Sequence, residues 1–216
     1  MTKPLFVLSL LLAAAPSFAA VGCDLNDPDR DVARLFPGST GYKTAYLSVK
    51  TLGGGKMLAR IEARLGDKFK GLYETIDVPY TLYTVTKGTV TAGYIHGVNQ
   101  KSEYGGTQVF LALGTDARIK AFYIQKLTSK AAKELRSAAF SAPFTGLSLK
   151  EFEAYDPAAA KLPETGPLSV LKSPSPRARK DFLSVLRAVK KNLILLDEFV
   201  FSPAPGAGTS AGGAAK

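Results

Sequence analysis

The sequence predicts an α+β domain, an antiparallel meander of four or more strands packed against C-terminal helices. Three observations carry that expectation. β-branched and aromatic residues cluster in the middle of the chain, in two pairs of runs with a short turn inside each pair. Apolar residues at helical spacing take over after residue 128, and Phe182, Leu186, Val189, Leu193 and Leu196 form one long stripe. Strands grouped first and helices grouped second is the α+β arrangement.

The elements follow in order. Asp27 or Asp31 caps a short helix running through Leu35, because a carboxylate accepts the free amides of a first turn. Residues 42–52, with alternating Ala45, Leu47 and Val49, read as a strand. Residues 56–65 place Leu58, Ile61 and Leu65 on one helical face, and Gly66 stops that helix. Residues 80–86 and 89–98 form a hairpin through Lys87-Gly88. Residues 108–113 and 119–127 pair around Gly114-Thr115-Asp116. Thr128-Ser129 caps a helix carrying Leu135 and Phe140 that Pro143 ends. Ser148-Leu149-Lys150-Glu151 is a capping box. Ser175-Pro176 opens the longest helix, since proline suits a first helical position. Arg179, Arg187 and Lys190 lie mostly off its stripe, which reads as core packing against the sheet.

The chain opens like an exported protein. Lys3 precedes an apolar run from Leu5 to Ala15, interrupted only by Ser9, and Pro16-Ser17 then breaks it before small residues. At about eleven residues the run is too short to span a bilayer, so residues 1–22 read as a signal peptide. Ala20-Val21-Gly22-Cys23 resembles the lipobox of bacterial lipoproteins, in which the cysteine is lipidated and becomes the first residue. Cys23 is the only cysteine, and lipidation would account for a lone thiol in an exported chain. The alternative is ordinary cleavage after Ala19 or Ala20, leaving Cys23 as a free thiol. A buried methylene contributes roughly 0.8 kcal/mol and one acyl chain anchors only marginally, so the triacylated cysteine of such lipoproteins implies stable anchoring. Asp24 resembles the signal that retains many enterobacterial lipoproteins at the outer face of the cytoplasmic membrane.

Residues 23–201 are long enough for one domain with a normal core and no disulfide. Residues 202–216 carry no large apolar side chain and read as a disordered tail. The formal charge of +10 falls to +9 when Lys3 leaves with the signal. Export argues against nucleic acid as the partner; anionic lipid headgroups attract such charge at about 1 kcal/mol per well-placed Lys or Arg.

The segment of residues 93–149 resembles a known family. Gly93-Tyr94-Ile95, Tyr104-Gly105-Gly106, the strand of residues 109–113, the turn at Thr115-Asp116, the strand of residues 119–124 and Phe140-Ser141-Ala142-Pro143-Phe144-Thr145-Gly146 carry the likeness. This order is similar to the extracytoplasmic FMN-binding domain of sodium- or proton-translocating NADH and ferredoxin oxidoreductases and of nitrous-oxide reductase regulators. The resemblance implies a flavin and electron transfer near the membrane. The family commonly attaches its flavin to the Thr of a Ser-Gly-Ala-Thr motif, which this chain lacks. Any FMN is therefore expected to be held non-covalently.

The residues themselves offer one candidate cradle. In the segment of residues 100–107, Gly105 and Gly106 let backbone amides approach a phosphate, Lys101 and Thr107 flank them, and Tyr104 offers a ring for stacking. Arg177 and Arg179, at the start of the long helix, could hold phosphate with help from the helix dipole. The competing readings are a plain connection and a solvated first turn. His96, the only histidine, reads as a structural or surface residue. An EF-hand starting at Asp27 fails at Val32 and Gly38, and a phosphate loop fails at Lys50 and Met57. Two functions stay open: a membrane-anchored flavin redox module, or a non-enzymatic lipoprotein acting as an assembly or binding scaffold for an envelope partner.

Overall fold

The computed structural model describes residues 22–203. Asp27 caps α1 (Pro28–Leu35), accepting from the Arg30 amide at 3.2 Å with Pro28 at the first helical position. β1 (Gly41–Leu47) is shorter than its alternation predicts. Ser48 and Thr51 form a capping box that turns the chain into α2 (Val49–Leu52), so Val49 belongs to a helix. α3 (Gly54–Leu65) ends at Gly66, whose φ of +72° suits glycine.

The strands β2 (Tyr80–Lys87), β3 (Val90–Ser102), β4 (Gly105–Gly114) and β5 (Ile119–Leu127) follow, and the sheet order is β1-β2-β3-β4-β5, all antiparallel. The helix expected after residue 128 is divided into α4 (Ala132–Leu135) and α5 (Ala138–Ser141). Ser137 adopts an extended backbone and caps α5, while Arg136 reaches back to the carbonyls of Ile124 and Gln125. The capping box at Ser148 opens α6 (Leu149–Phe152), and a 3-10 turn from Pro176 leads into α7 (Arg179–Leu196).

Both sheet faces are covered, and the alternation along each strand sorts the residues between them. Leu82, Val98, Val109, Leu111 and Leu113 face a large core with Met57, Ile61 and Leu65 of α3 and the α7 stripe. Tyr83, Val85, Ile95, Phe110 and Ala112 face a smaller one built by Cys23, Leu25, Val32 and Leu35. Double coverage explains why residues 109–113 read as an unbroken apolar run rather than an alternating one. Gly97 leaves the space into which the Phe110 ring packs.

Candidate functional site

The segment of residues 100–107 is a hairpin. β3 continues through Ser102 and β4 begins at Gly105, with pairs Gln100↔Thr107, Lys101↔Gly106 and Ser102↔Gly105, leaving a two-residue turn at Glu103-Tyr104. Thr107 is fully buried, and its hydroxyl hydrogen-bonds that of Ser102 at 2.9 Å. A side chain at Gly106 would meet the Tyr73 hydroxyl, and one at Gly105 would touch Thr128. Tyr104 is exposed, with the Lys130 ammonium 5.4 Å from its ring centroid.

The start of α7 sits beside this turn. Lys180 pairs with Glu103 at 3.0 Å, and the Glu103 amide donates to Asp181 at 3.0 Å. The guanidinium groups are directed elsewhere. Arg177 donates to Glu134 at 2.9 Å, and Arg179 is exposed without an ion pair among the described residues.

Lys101 lines a hollow of about 100 Å³ with Lys70, Gly71, Leu72, Tyr73, Glu74 and Gln100. A larger apolar cavity of about 260 Å³ lies against Phe140, Phe144 and Phe182, and none of the seven candidate cofactor residues lines it.

Beneath the smaller hollow lies an ionic cluster that the sequence reading missed. Glu74 accepts from Lys191 at 2.8 Å and from Arg187 at 3.1 Å. Arg187 also donates to Asp67 and Gln100, at 2.8 Å each, and Lys191 donates to the Asn99 carbonyl at 2.6 Å. Lys191 is fully buried and Glu74 is 5% exposed. Burial pushes the Glu74 pKa up, but Lys191 and Arg187 outweigh it and hold the carboxyl below its usual range. Burial pushes Lys191 down to about 8, with Glu74 opposing. Lys190 is buried too and donates to the Tyr155 carbonyl at 2.7 Å. A signal was present: three consecutive polar residues, Lys190-Lys191-Asn192, span about 200° of helix circumference and cannot all avoid the core.

Asn192 ties α7 to the sheet. Its amide nitrogen donates to the carbonyls of His96 and Val109, at 2.9 and 3.2 Å, and its oxygen lies 2.7 Å from His96 Nδ1. An amide oxygen only accepts, so Nδ1 carries the proton and Nε2 is a bare acceptor with no hydrogen-bond partner among the described residues. The ring is wholly buried, 5.6 Å from Tyr80 and 6.0 Å from Phe199 between centroids. Burial pushes its pKa down to about 4, with the Asn192 contact opposing and Lys191 adding to the fall.

His96 should therefore make folding depend on pH. Between its folded value of about 4 and the unfolded value of 6.5, the unfolded chain binds the extra proton, so stability present above pH 6.5 is lost as pH falls. With one histidine in the chain, the loss from pH 7 to 4.5 is expected to reach about 2–3 kcal/mol. Urea midpoints across that range measure it, and His96→Leu should flatten the profile.

Cys23 is buried against the second sheet face, and burial pushes its thiol well above the ordinary range. Gly22 before it accepts from Asn99 at 3.2 Å; Asp24 after it accepts from Thr81 at 2.5 Å and, through its carbonyl, from Gln125 at 2.8 Å.

The residues proposed for FMN do not form a cavity that fits it. Ligand pockets are typically about 300–1,000 Å³. The hollow at Lys101 is far smaller, Gly106 is backed by Tyr73, and Arg177 is committed to Glu134. Among the described residues no group of His, Cys, Asp and Glu could hold a metal, and no helix is long and apolar enough to cross a membrane. Comparison of the chain with family models, with curated proteins and with solved structures finds no match in any of the three.

Proposed function

We propose that this chain is a lipid-anchored extracytoplasmic protein that serves as a non-catalytic binding scaffold at the cell envelope. The observation that favours the scaffold over a flavin module is the internal use of the would-be cradle. The Thr107 hydroxyl, the face of Gly106 and the Arg177 guanidinium are all engaged by other residues of the fold. The single histidine is sealed and neutral, which removes the commonest general base from any surface chemistry.

The anchor rests on Ala20-Val21-Gly22-Cys23. Lipidation requires the Cys23 side chain to leave its place on the sheet. Cleavage before Cys23 removes the Gly22 carbonyl and its Asn99 contact, so the first fixed point of the mature chain becomes Asp24, held by Thr81 and Gln125. A terminal residue preceding that point can turn outward.

Titrating the purified protein with FMN while following flavin fluorescence tests the scaffold reading. No saturable quenching at tens of micromolar flavin is expected, and saturable quenching would replace the scaffold with the redox module. The anchor has its own test. Cys23→Ser should abolish labelling by fatty acid and release the protein from membranes; a wild-type chain that takes up no label would end that part of the proposal.

A further inference from the structure

The point where the chain would leave for its lipid anchor lies at the same end of the sheet as a cluster of unspent lysines and exposed apolar side chains. Gly22 contacts Asn99, whose pair with Gln108 is only three residue pairs from the β3–β4 turn, about 10 Å along the strand. Lys126 pairs with Gln108 at this level. Lys101 lies two residues nearer the turn, Lys70 shares its hollow, and Lys130 lies over Tyr104 at the tip. All four lysines are exposed and none makes an ion pair among the described residues. Most neighbouring carboxylates are paired: Glu103 with Lys180, Glu134 with Arg177, Asp67 and Glu74 with Arg187. Asp24, beside the exit point, is exposed and accepts from the Thr81 hydroxyl, one negative charge against the four lysines. Asp181 is fully buried.

Two large apolar side chains project among these lysines. Leu72 is 67% exposed and Tyr104 46% exposed. Neither packs in the core, and together with the lysines they give this end an apolar tip within a positive rim.

We propose that this end of the domain lies against an anionic lipid surface, with Leu72 and Tyr104 entering the headgroup layer and Lys70, Lys101, Lys126 and Lys130 meeting the lipid phosphates. The orientation rests on the anchored reading, because a lipidated Cys23 would bring this end to the bilayer; the surface chemistry does not. Binding through lysines near an anionic surface weakens about fivefold for each lysine lost. An acyl anchor combined with a basic patch holds a protein in one orientation where acyl chains alone allow tumbling.

The test uses the mature chain from residue 23 carrying Cys23→Ser, so that no acyl chain contributes. Co-sedimentation with equimolar phosphatidylcholine–phosphatidylglycerol vesicles at low salt is expected, with none on phosphatidylcholine alone and loss as salt is raised. Lys101→Ala with Lys130→Ala should lower the partition coefficient by roughly 25-fold. Both positions are exposed, and an unchanged melting temperature verifies folding. Inorganic phosphate should displace the protein no better than chloride at the same ionic strength. Equal binding to both vesicle types, no binding to either, wild-type binding by the double variant, or selective displacement by phosphate would each overturn the proposal. Failure here leaves the anchor standing, and failure of fatty-acid labelling leaves this surface standing, so the two readings fall separately.

Discussion

Glu74→Ala is expected to cost about 3–5 kcal/mol, because it leaves the buried Lys191 ammonium and the half-buried Arg187 without their shared carboxylate. Lys191 is fully buried, so loss of its carboxylate partner favours the neutral amine, and its pKa should fall further below the present value of about 8. Lys191→Met alone should cost less, since Arg187 continues to neutralise Glu74. Adding Lys191→Met to Glu74→Ala should recover part of the loss by removing the uncompensated charge. Urea midpoints of the four proteins give these values. A Glu74→Ala chain within 1 kcal/mol of wild type would show the cluster to be wetter and weaker than its geometry implies.

Leu186→Ala should cost about 2–5 kcal/mol. Leu186 is completely buried in the large core, on an α7 turn flanked by Phe182 and Val189, which are 2% and 0% exposed. The loss combines the transfer of the removed methyl groups with the cavity left behind. The backbone around Leu186 has little room to collapse, because Asn192 fixes α7 to the carbonyls of β3 and β4. Thermal and denaturant unfolding both report the change. Wild-type stability would mean that the stripe faces a partner rather than the sheet.

The α+β class, the β2–β3 hairpin and the capping boxes follow from local chemistry, although the hairpin turn falls at Gly88-Thr89, one residue past the Lys87-Gly88 expected, because Lys87 pairs with Val90. Asp27 caps α1, Gly66 ends α3 and Ser148 opens α6 because each decision is made within four residues. The α7 stripe was legible for the same reason, since helical periodicity alone shows which side chains share a face. The break between α4 and α5 was less legible: the Ser137 cap is local, but Arg136 bonds across to β5. The segment of residues 100–107 reads as a loop from its glycines, yet pairing across the hairpin makes it strand.

Sequence by itself determined the α+β class, the four central strands in meander order and the α7 stripe, because propensity, capping and periodicity act between near neighbours. Only the tertiary structure decided which charges are buried and which are spent. Glu74 and Lys191 are 117 residues apart, and His96 and Asn192 are 96 apart. No local pattern encodes those meetings. They exist because α7 crosses β3 and β4 at a height that brings Lys191 and Asn192 onto the sheet, and desolvation at that crossing then requires a carboxylate and an amide partner.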